Sequence, residues 1–312
     1  GYSYKNILAG NGSDQLIGVV ISSYINKGDK ILTLQPDFLM YDFYVSLNEG
    51  QLVKLDIGKK GKFAVKDLIA LGKKESPKMI IFSNPNNPTG SLYPKDVLEQ
   101  IVDIARQNDL IIFADEIYDR LVMDGKKHTA IASLAPDVFC VSMNGLSKSH
   151  RICGFRVGWM VLSGPKKNVK GYIEGLNMLA NMRLCANVLS QHVIQTSLGG
   201  YQSVDELLIP GGRIYEQREF ITNTVNAIPG LSAVKPDAGL YIFPKIDRNM
   251  YDIEDDEEFC LRLLKKEKVL LVPGKGFNWN EPDHFRIVYL PRVEELADLG
   301  NKIERVLSYY KR

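Results

Sequence analysis

Paired cysteines are missing from this chain. The four it has, Cys140, Cys153, Cys185 and Cys260, stand far apart and form no CxxC motif. That excludes a disulfide-stapled scaffold and leads us to expect reduced, mostly buried thiols in a reducing compartment. Histidine is as sparse, and His128, His150, His192 and His284 show no metal-ligand spacing with one another or with the cysteines. Apolar runs long enough to span a bilayer are lacking too, so no membrane association is expected and a cytoplasmic location is the default. Charge of one sign is also absent: 39 Lys+Arg against 37 Asp+Glu leave a formal net charge of +2. With that balance neither nucleic acid nor an anionic membrane is an expected partner. The basic pairs Lys59-Lys60, Lys73-Lys74, Lys166-Lys167 and Lys265-Lys266 read as solvated faces.

What is present is an ordinary globular balance, 45% hydrophobic and 24% charged over 312 residues, enough for one large domain and a smaller one. Short apolar runs rich in Ile, Val and Phe recur at 31–34, 79–83, 110–114, 138–142 and 157–162, and their near-continuous apolarity predicts strands buried on both faces. Helical patterns over 14–26 and 94–108 lie between them, the second with Pro94 in its first turn. Strands alternating with helices predict an α/β fold whose mostly parallel sheet is sandwiched by helices. Beyond the glycine-rich stretch 198–213 and a helical pattern over 214–227, strand-like segments at 239–246, 269–272 and 285–289 with one long helix predict a smaller α+β unit. The boundary is expected near residue 215, giving domains 1–215 and 216–312. No internal repeat or low-complexity segment is seen.

Ligands of such sheets sit at the carboxyl ends of the strands, which makes the loops there the places to look. Gly10-Asn11-Gly12-Ser13 precedes a helix, where Gly12 would let an anion approach the backbone N–H groups; a strand-to-helix turn capped by Ser13 would look the same. Phe38, after the next strand, could stack on a flat ring or simply fill core. Asn84-Pro85-Asn86-Asn87-Pro88-Thr89-Gly90 is a rigid turn carrying more amides than a structural turn needs, which favours a site role for Asn87. Asp115, in Asp115-Glu116-Ile117-Tyr118, is either a buried carboxylate in need of a partner or an ordinary helix-start residue. Lys148 follows a Gly145 turn, with Arg156 eight residues on. A lysine near an arginine tends to lose its proton and become a nucleophile, but a surface lysine and a surface ion pair remain open.

Taken together, these segments resemble the fold-type-I, class I/II aminotransferases that depend on pyridoxal 5'-phosphate. The matching pieces are 84–90, 114–118, 145–148, 154–158 and the late arginine in Phe285-Arg286-Ile287-Val288-Tyr289. They keep the family's order and spacing: 61 residues from Asn87 to Lys148, 33 from Asp115 to Lys148 and eight from Lys148 to Arg156. The resemblance spans essentially the whole chain. Two further stretches, 171–187 and 198–203, look like the bacterial glutamate–pyruvate (alanine) aminotransferases, which implies the reaction L-alanine + 2-oxoglutarate = pyruvate + L-glutamate.

The resemblance implies a role for each matching residue. Lys148 would hold the cofactor as a Schiff base and then shuttle the proton between substrate and cofactor. Asp115 would face the pyridine nitrogen, and Tyr118 and Asn87 the ring's phenolic oxygen. Phe38 would stack on the ring; Gly12, Ser13 and Arg156 would bind the phosphate. Arg286 would clamp the substrate α-carboxylate with a bidentate fork, with Asn87 beside it. Amino acid and 2-oxo acid substrates and a homodimer are implied likewise.

Family members carry a further N-terminal segment before the point corresponding to Gly1, including an arm to the partner subunit and part of the small domain. A catalytically impaired fragment is therefore one alternative expectation. Others are an aromatic or histidinol-phosphate aminotransferase, a carbon–sulfur lyase, or a ligand-sensing module of a transcription regulator. The absence of a basic helix near residue 1 argues against the last. Asp14, beside the phosphate loop, is expected either to point away or to weaken anion binding.

Overall fold

The apolar runs form strands where the sequence predicts them, and helices cover both of their faces. The computed structural model describes residues 3–56 and 74–312. Lys59, Lys60 and Lys73, expected on solvated faces, lie outside the described residues. Among the described residues a seven-stranded sheet runs in the order β1-β7-β6-β5-β4-β2-β3. Its strands are β1 (Ile7–Gly10), β2 (Lys30–Gln35), β3 (Gln51–Asp56), β4 (Met79–Ser83), β5 (Ile111–Asp115), β6 (Cys140–Gly145) and β7 (Gly158–Ser163). Only β7 runs against the rest, pairing antiparallel with both β6 and β1. Six strands therefore end on the same edge, and that edge carries the candidate loops.

β4 and β5 are buried at every position, and their side chains alternate between two cores. On one face Ile81, Phe113, Val141 and Met160 pack against α1 (Ser13–Ser22), α2 (Met40–Leu47) and α4 (Lys170–Met182) through Ile17, Val20, Tyr41 and Leu176. On the other, Ile80, Phe82 and Ile112 meet α3 (Lys95–Gln107) through Leu98, Ile101, Val102 and Ala105, the one-sided spacing of an amphipathic helix. Pro94 stands at the N-cap of α3 rather than within it. The helix expected over 14–26 stops at Ser22, where the hydroxyl of Ser23 bonds back to the Val20 carbonyl at 3.1 Å.

The chain continues through α5 (Val188–Gly199) and α6 (Arg213–Ala227) into short strands: β8 (Leu231–Ser232), β9 (Tyr241–Ile242), β10 (Lys245–Ile246), β11 (Val272–Pro273) and β12 (Phe285–Val288). These form a two-stranded sheet and a three-stranded one, β11-β12-β9. The strand expected over 239–246 is split at Pro244 into β9 and β10, and of the segment expected over 269–272 only Val272 lies in a strand. α7 (Asp256–Glu267) is capped by Asp255, which accepts from the Glu257 N–H at 2.9 Å; acids in its first turn and Lys265 and Lys266 in its last oppose the helix dipole. α8 (Val293–Leu307) buries Leu296, Leu299, Ile303 and Val306 against this third core. Ile117, Tyr118, Leu121 and Met123, from the loop after β5, are part of that same core.

Candidate active site

Ser13, Phe38, Asn87, Asp115, Tyr118, Lys148, Arg156 and Arg286 line one pocket of ≈ 290 Å³ at the strand ends. Every residue singled out from the sequence is thus either in the wall of this pocket or, for Gly12, directly adjacent to it.

Gly12 has φ +94°, and a Cβ there would lie 2.0 Å from the Arg156 guanidinium. It caps α1 without a side chain, so the first N–H groups of that helix are left for an outside acceptor. Gly158 supports the loop from below, where a Cβ would come within 2.5 Å of the Ser13 nitrogen. Arg156 donates to the Cys153 carbonyl at 2.8 Å and to Asp14. Asp14 does not point away: it lines the pocket and occupies Arg156 as an ion-pair partner, so a phosphate has to compete with it.

The helix-start alternative for Asp115 is not met, since the chain after it makes turns over 117–120 and no helix. Its carboxylate is buried and accepts hydrogen bonds from the Ile117 N–H and the Tyr41 hydroxyl, each at 3.2 Å. Burial pushes its pKa up to about 6; those two hydrogen bonds and the nearby Lys148 amine pull the other way. Tyr41 was not anticipated. It stands edge-on to Phe38, with ring centroids 5.8 Å apart, and so links the ring-stacking position to the carboxylate. Phe38 itself both lines the pocket and packs on the core, so the two readings of it hold together.

The amides of 84–90 divide their work. Asn84 accepts from the Tyr93 N–H at 2.9 Å, and Asn86 donates to the Pro36 carbonyl at 3.2 Å and accepts from Thr89. These two hold the turn, which corrects the expectation that a structural turn has no use for them. Asn87 is the one committed to the pocket: its Oδ1 accepts from Arg286 Nη1 at 2.8 Å. Arg286 also lies over the Tyr241 and Phe277 rings, 4.2 Å and 4.6 Å from their centroids, and its buried Nε has no partner among the described residues.

Tyr118 shares a 2.9 Å hydrogen bond with the hydroxyl of Tyr241, a second residue that the sequence did not flag. Burial, with Tyr241 and Asp115 beside it, holds the Tyr118 hydroxyl well above the ordinary tyrosine pKa, so it stays a proton donor. Behind this wall Glu116 accepts from the Ile131 N–H at 3.0 Å, and burial pushes its carboxyl up to about 8.

These features fit the cofactor that the resemblance implies. Free helix-start N–H groups and Arg156 suit a phosphate; a buried carboxylate held by neutral donors suits a ring cation. A guanidinium with a buried nitrogen that no described residue partners suits an incoming carboxylate, and Lys148 lines the same pocket as the amine.

The sequence matches the family Aminotransferase class I and II over residues 2–303. It is 50% identical over 312 residues to the glutamate-pyruvate aminotransferase AlaA of Haemophilus influenzae, covering 100% of this chain and 77% of that protein. To the alanine aminotransferase of Mycobacterium bovis it is 42% identical over 312 residues, covering 99% and 72%. The crystal structure of an aminotransferase from Escherichia coli superposes with a TM-score of 0.96 at 50% identity, covering 99% of this chain and 77% of that one.

Proposed function

Since the chain belongs to the class I and II aminotransferases, which depend on pyridoxal phosphate, we propose that it moves the amino group of L-alanine to 2-oxoglutarate, giving pyruvate and L-glutamate. The choice of alanine is supported by the names of the relatives, glutamate-pyruvate and alanine aminotransferase. One observation carries the chemistry: Lys148, buried Asp115 and Arg286 converge on the same pocket.

When bound, the cofactor supplies a ring that accepts electrons from the bond broken at the substrate α-carbon. The Lys148 Nζ would hold the cofactor and, when free, would be the base that carries the α-proton. Asp115 would hold the ring nitrogen's proton, stabilising charge that builds mainly in the transition state. Tyr118 and Asn87 would donate to the ring oxygen. Phe38 would pack on the ring, and Gly12, Ser13 and Arg156 would hold the phosphate, with Arg156 giving up Asp14 for it. Arg286 would grip the substrate carboxylate, its planar fork fixing the α-carbon near Lys148.

We further propose a homodimer, a cytoplasmic location and domains 1–215 and 216–312. Supporting the dimer, Met182, Leu184 and Leu189 are exposed by 74%, 87% and 83% on α4, α5 and their connection. That surface adjoins the site: Ser190 on α5 donates to the Phe155 carbonyl, and the His150 ring nitrogen bonds the Ser197 carbonyl at 2.9 Å.

The test mixes the protein with pyridoxal phosphate, L-alanine and 2-oxoglutarate and follows pyruvate and glutamate. Both should form, and both should be lost in Lys148→Ala. Transfer from aromatic amino acids or histidinol phosphate but not alanine would sink the substrate assignment. Pyruvate and ammonia from a cysteine conjugate, with no oxo acid present, would point to a lyase.

A further inference from the structure

Tyr241 stands between the proposed carboxylate clamp and the proposed partner of the cofactor's ring oxygen, and it touches both. β9 and β12 pair so that Tyr241 is opposite Val288, which puts its side chain diagonally across the same face as Arg286. The Arg286 guanidinium lies 4.2 Å from the Tyr241 ring centroid. At the far end of that ring, the Tyr241 hydroxyl meets the Tyr118 hydroxyl at 2.9 Å, the rings being edge to face at 5.7 Å. Both tyrosines are buried, and the segment leading into β9 is pinned to the Asn87 loop by N–H groups of Asp237 and Ala238 on the Gly90 carbonyl at 3.1 Å and 2.9 Å.

A tyrosine hydroxyl has one proton to give. If Tyr118 gave its proton to Tyr241, none would remain for the pocket. The surrounding charges decide the direction. The Arg286 cation over the Tyr241 ring withdraws electron density and makes that hydroxyl the stronger donor. Arg286 reaches Tyr118 as well, but there the opposing field of Asp115 is the larger, and it makes Tyr118 the better acceptor. The other titratable groups facing the pair among the described residues are Lys148 across the pocket, Tyr41 behind Asp115 and Tyr289 beside Tyr241, the two tyrosines held neutral by burial. Hydrogen bonding thus runs from Tyr241 to Tyr118, and the Tyr118 proton is left for the pocket.

We propose that Tyr241 is a positioning residue of the reaction, donating to Tyr118 so that Tyr118 donates to the cofactor's ring oxygen, and bracing the Arg286 guanidinium with its ring. This rests on the roles given above to Tyr118 and Arg286. Hydrogen bonds in a chain polarise one another, so removing the first weakens the second without abolishing it.

The full chain loaded with pyridoxal phosphate provides the readout. The pH midpoint of the bound cofactor's visible absorbance reports how well the ring oxygen's negative charge is stabilised. Donors to that oxygen lower the midpoint, and their loss raises it. Tyr118→Phe should raise it by about one pH unit or more, Tyr241→Phe by a fraction of that, about 0.3–0.6 unit, and the double variant no further than Tyr118→Phe alone. A Tyr241→Phe midpoint equal to the wild type, or a shift that adds in full to that of Tyr118→Phe, overturns the relay. If Tyr118→Phe itself moves nothing, the placement of Tyr118 has failed and the relay falls with it. The bracing half is read from KM for L-alanine. Tyr241→Phe keeps the ring and should stay within about twofold of wild type, whereas Tyr241→Leu removes it and should raise KM at least about fivefold. Equal KM values for the two variants overturn the bracing.

Discussion

Arg286 Nη1 donates to Asn87 Oδ1 at 2.8 Å, and this one bond joins β12 to the loop after β4. It also settles which way the Asn87 amide faces: with Oδ1 engaged, Nδ2 is the group left to donate into the pocket.

Asn87→Asp should therefore do two kinds of harm at once. The carboxylate would hold Arg286 in a charge-assisted pair and compete with the substrate carboxylate, and the donor to the ring oxygen would be gone. KM for L-alanine should rise at least about tenfold, with a smaller fall in kcat, because charged hydrogen bonds contribute about 1.5–3 kcal/mol. Steady-state kinetics on both substrates check this. An unchanged KM would mean that Arg286 is not the carboxylate clamp.

Much of the site was legible because its residues are out of place as ordinary loop residues. Asn87, Asp115 and Lys148 are polar groups at or just beyond the ends of strands in the central sheet, where chemistry or a partner has to account for them. Tyr41 and Tyr241 gave no such signal, since an aromatic in an apolar helix or strand reads as core. Their roles come from contacts across 74 and 123 residues, Tyr41 to Asp115 and Tyr241 to Tyr118, which no local pattern encodes. Asp14 was read as a misplaced anion for the same reason: its partner Arg156 is 142 residues away. The sheet was legible through apolarity, but β7 reads like its parallel neighbours and its reversal shows only in the pairing.

Asp14 and Arg156 suggest a gain rather than a loss. Their ion pair is half exposed, and any phosphate has to displace it. Asp14→Asn should tighten pyridoxal phosphate binding about two- to fivefold, the range expected for releasing a surface pair. Tryptophan or cofactor fluorescence titration would show it, with the larger gain at low salt. Weaker binding in Asp14→Asn would mean that the carboxylate positions Arg156 rather than occupying it.

Glu116 gives the cofactor-free protein a pH dependence with a definite sign. Its folded pKa is about 8 against an ordinary 4.5, so between those values the folded form keeps a proton that the unfolded chain has released. Stability therefore falls as pH rises through this window. Asp37 and Asp115, also raised by burial, finish their share near pH 6, and His128, lowered from 6.5, finishes below that value. The interval from about pH 6.5 to 8 is thus the one in which Glu116 dominates. Glu116→Gln keeps an oxygen for the Ile131 N–H but cannot ionise, so its Tm should stay flatter there and exceed that of the wild type at pH 8. Thermal melts at several pH values decide it; parallel curves for the two proteins would show that Glu116 is not the titrating group.

The apolar surface beside the site makes the last prediction. Leu184 and Leu189 are among the most exposed large hydrophobic side chains, and water-facing leucines of this kind are stabilised by a covering partner. α5, which carries Leu189, also donates through Ser190 to the Phe155 carbonyl, in the loop that leads to Arg156. A second copy seated on this face would therefore press on the phosphate-binding loop as well as bury the leucines. Leu189→Asp should shift the protein from dimer to monomer in sedimentation or light scattering, since a charge in an apolar contact has no partner to pay for its desolvation. The same variant should hold pyridoxal phosphate several-fold more weakly although no cofactor-contacting residue has changed. If it stays dimeric, the interface lies on another face. If it becomes monomeric with cofactor affinity intact, the loop around Arg156 is set by this chain alone.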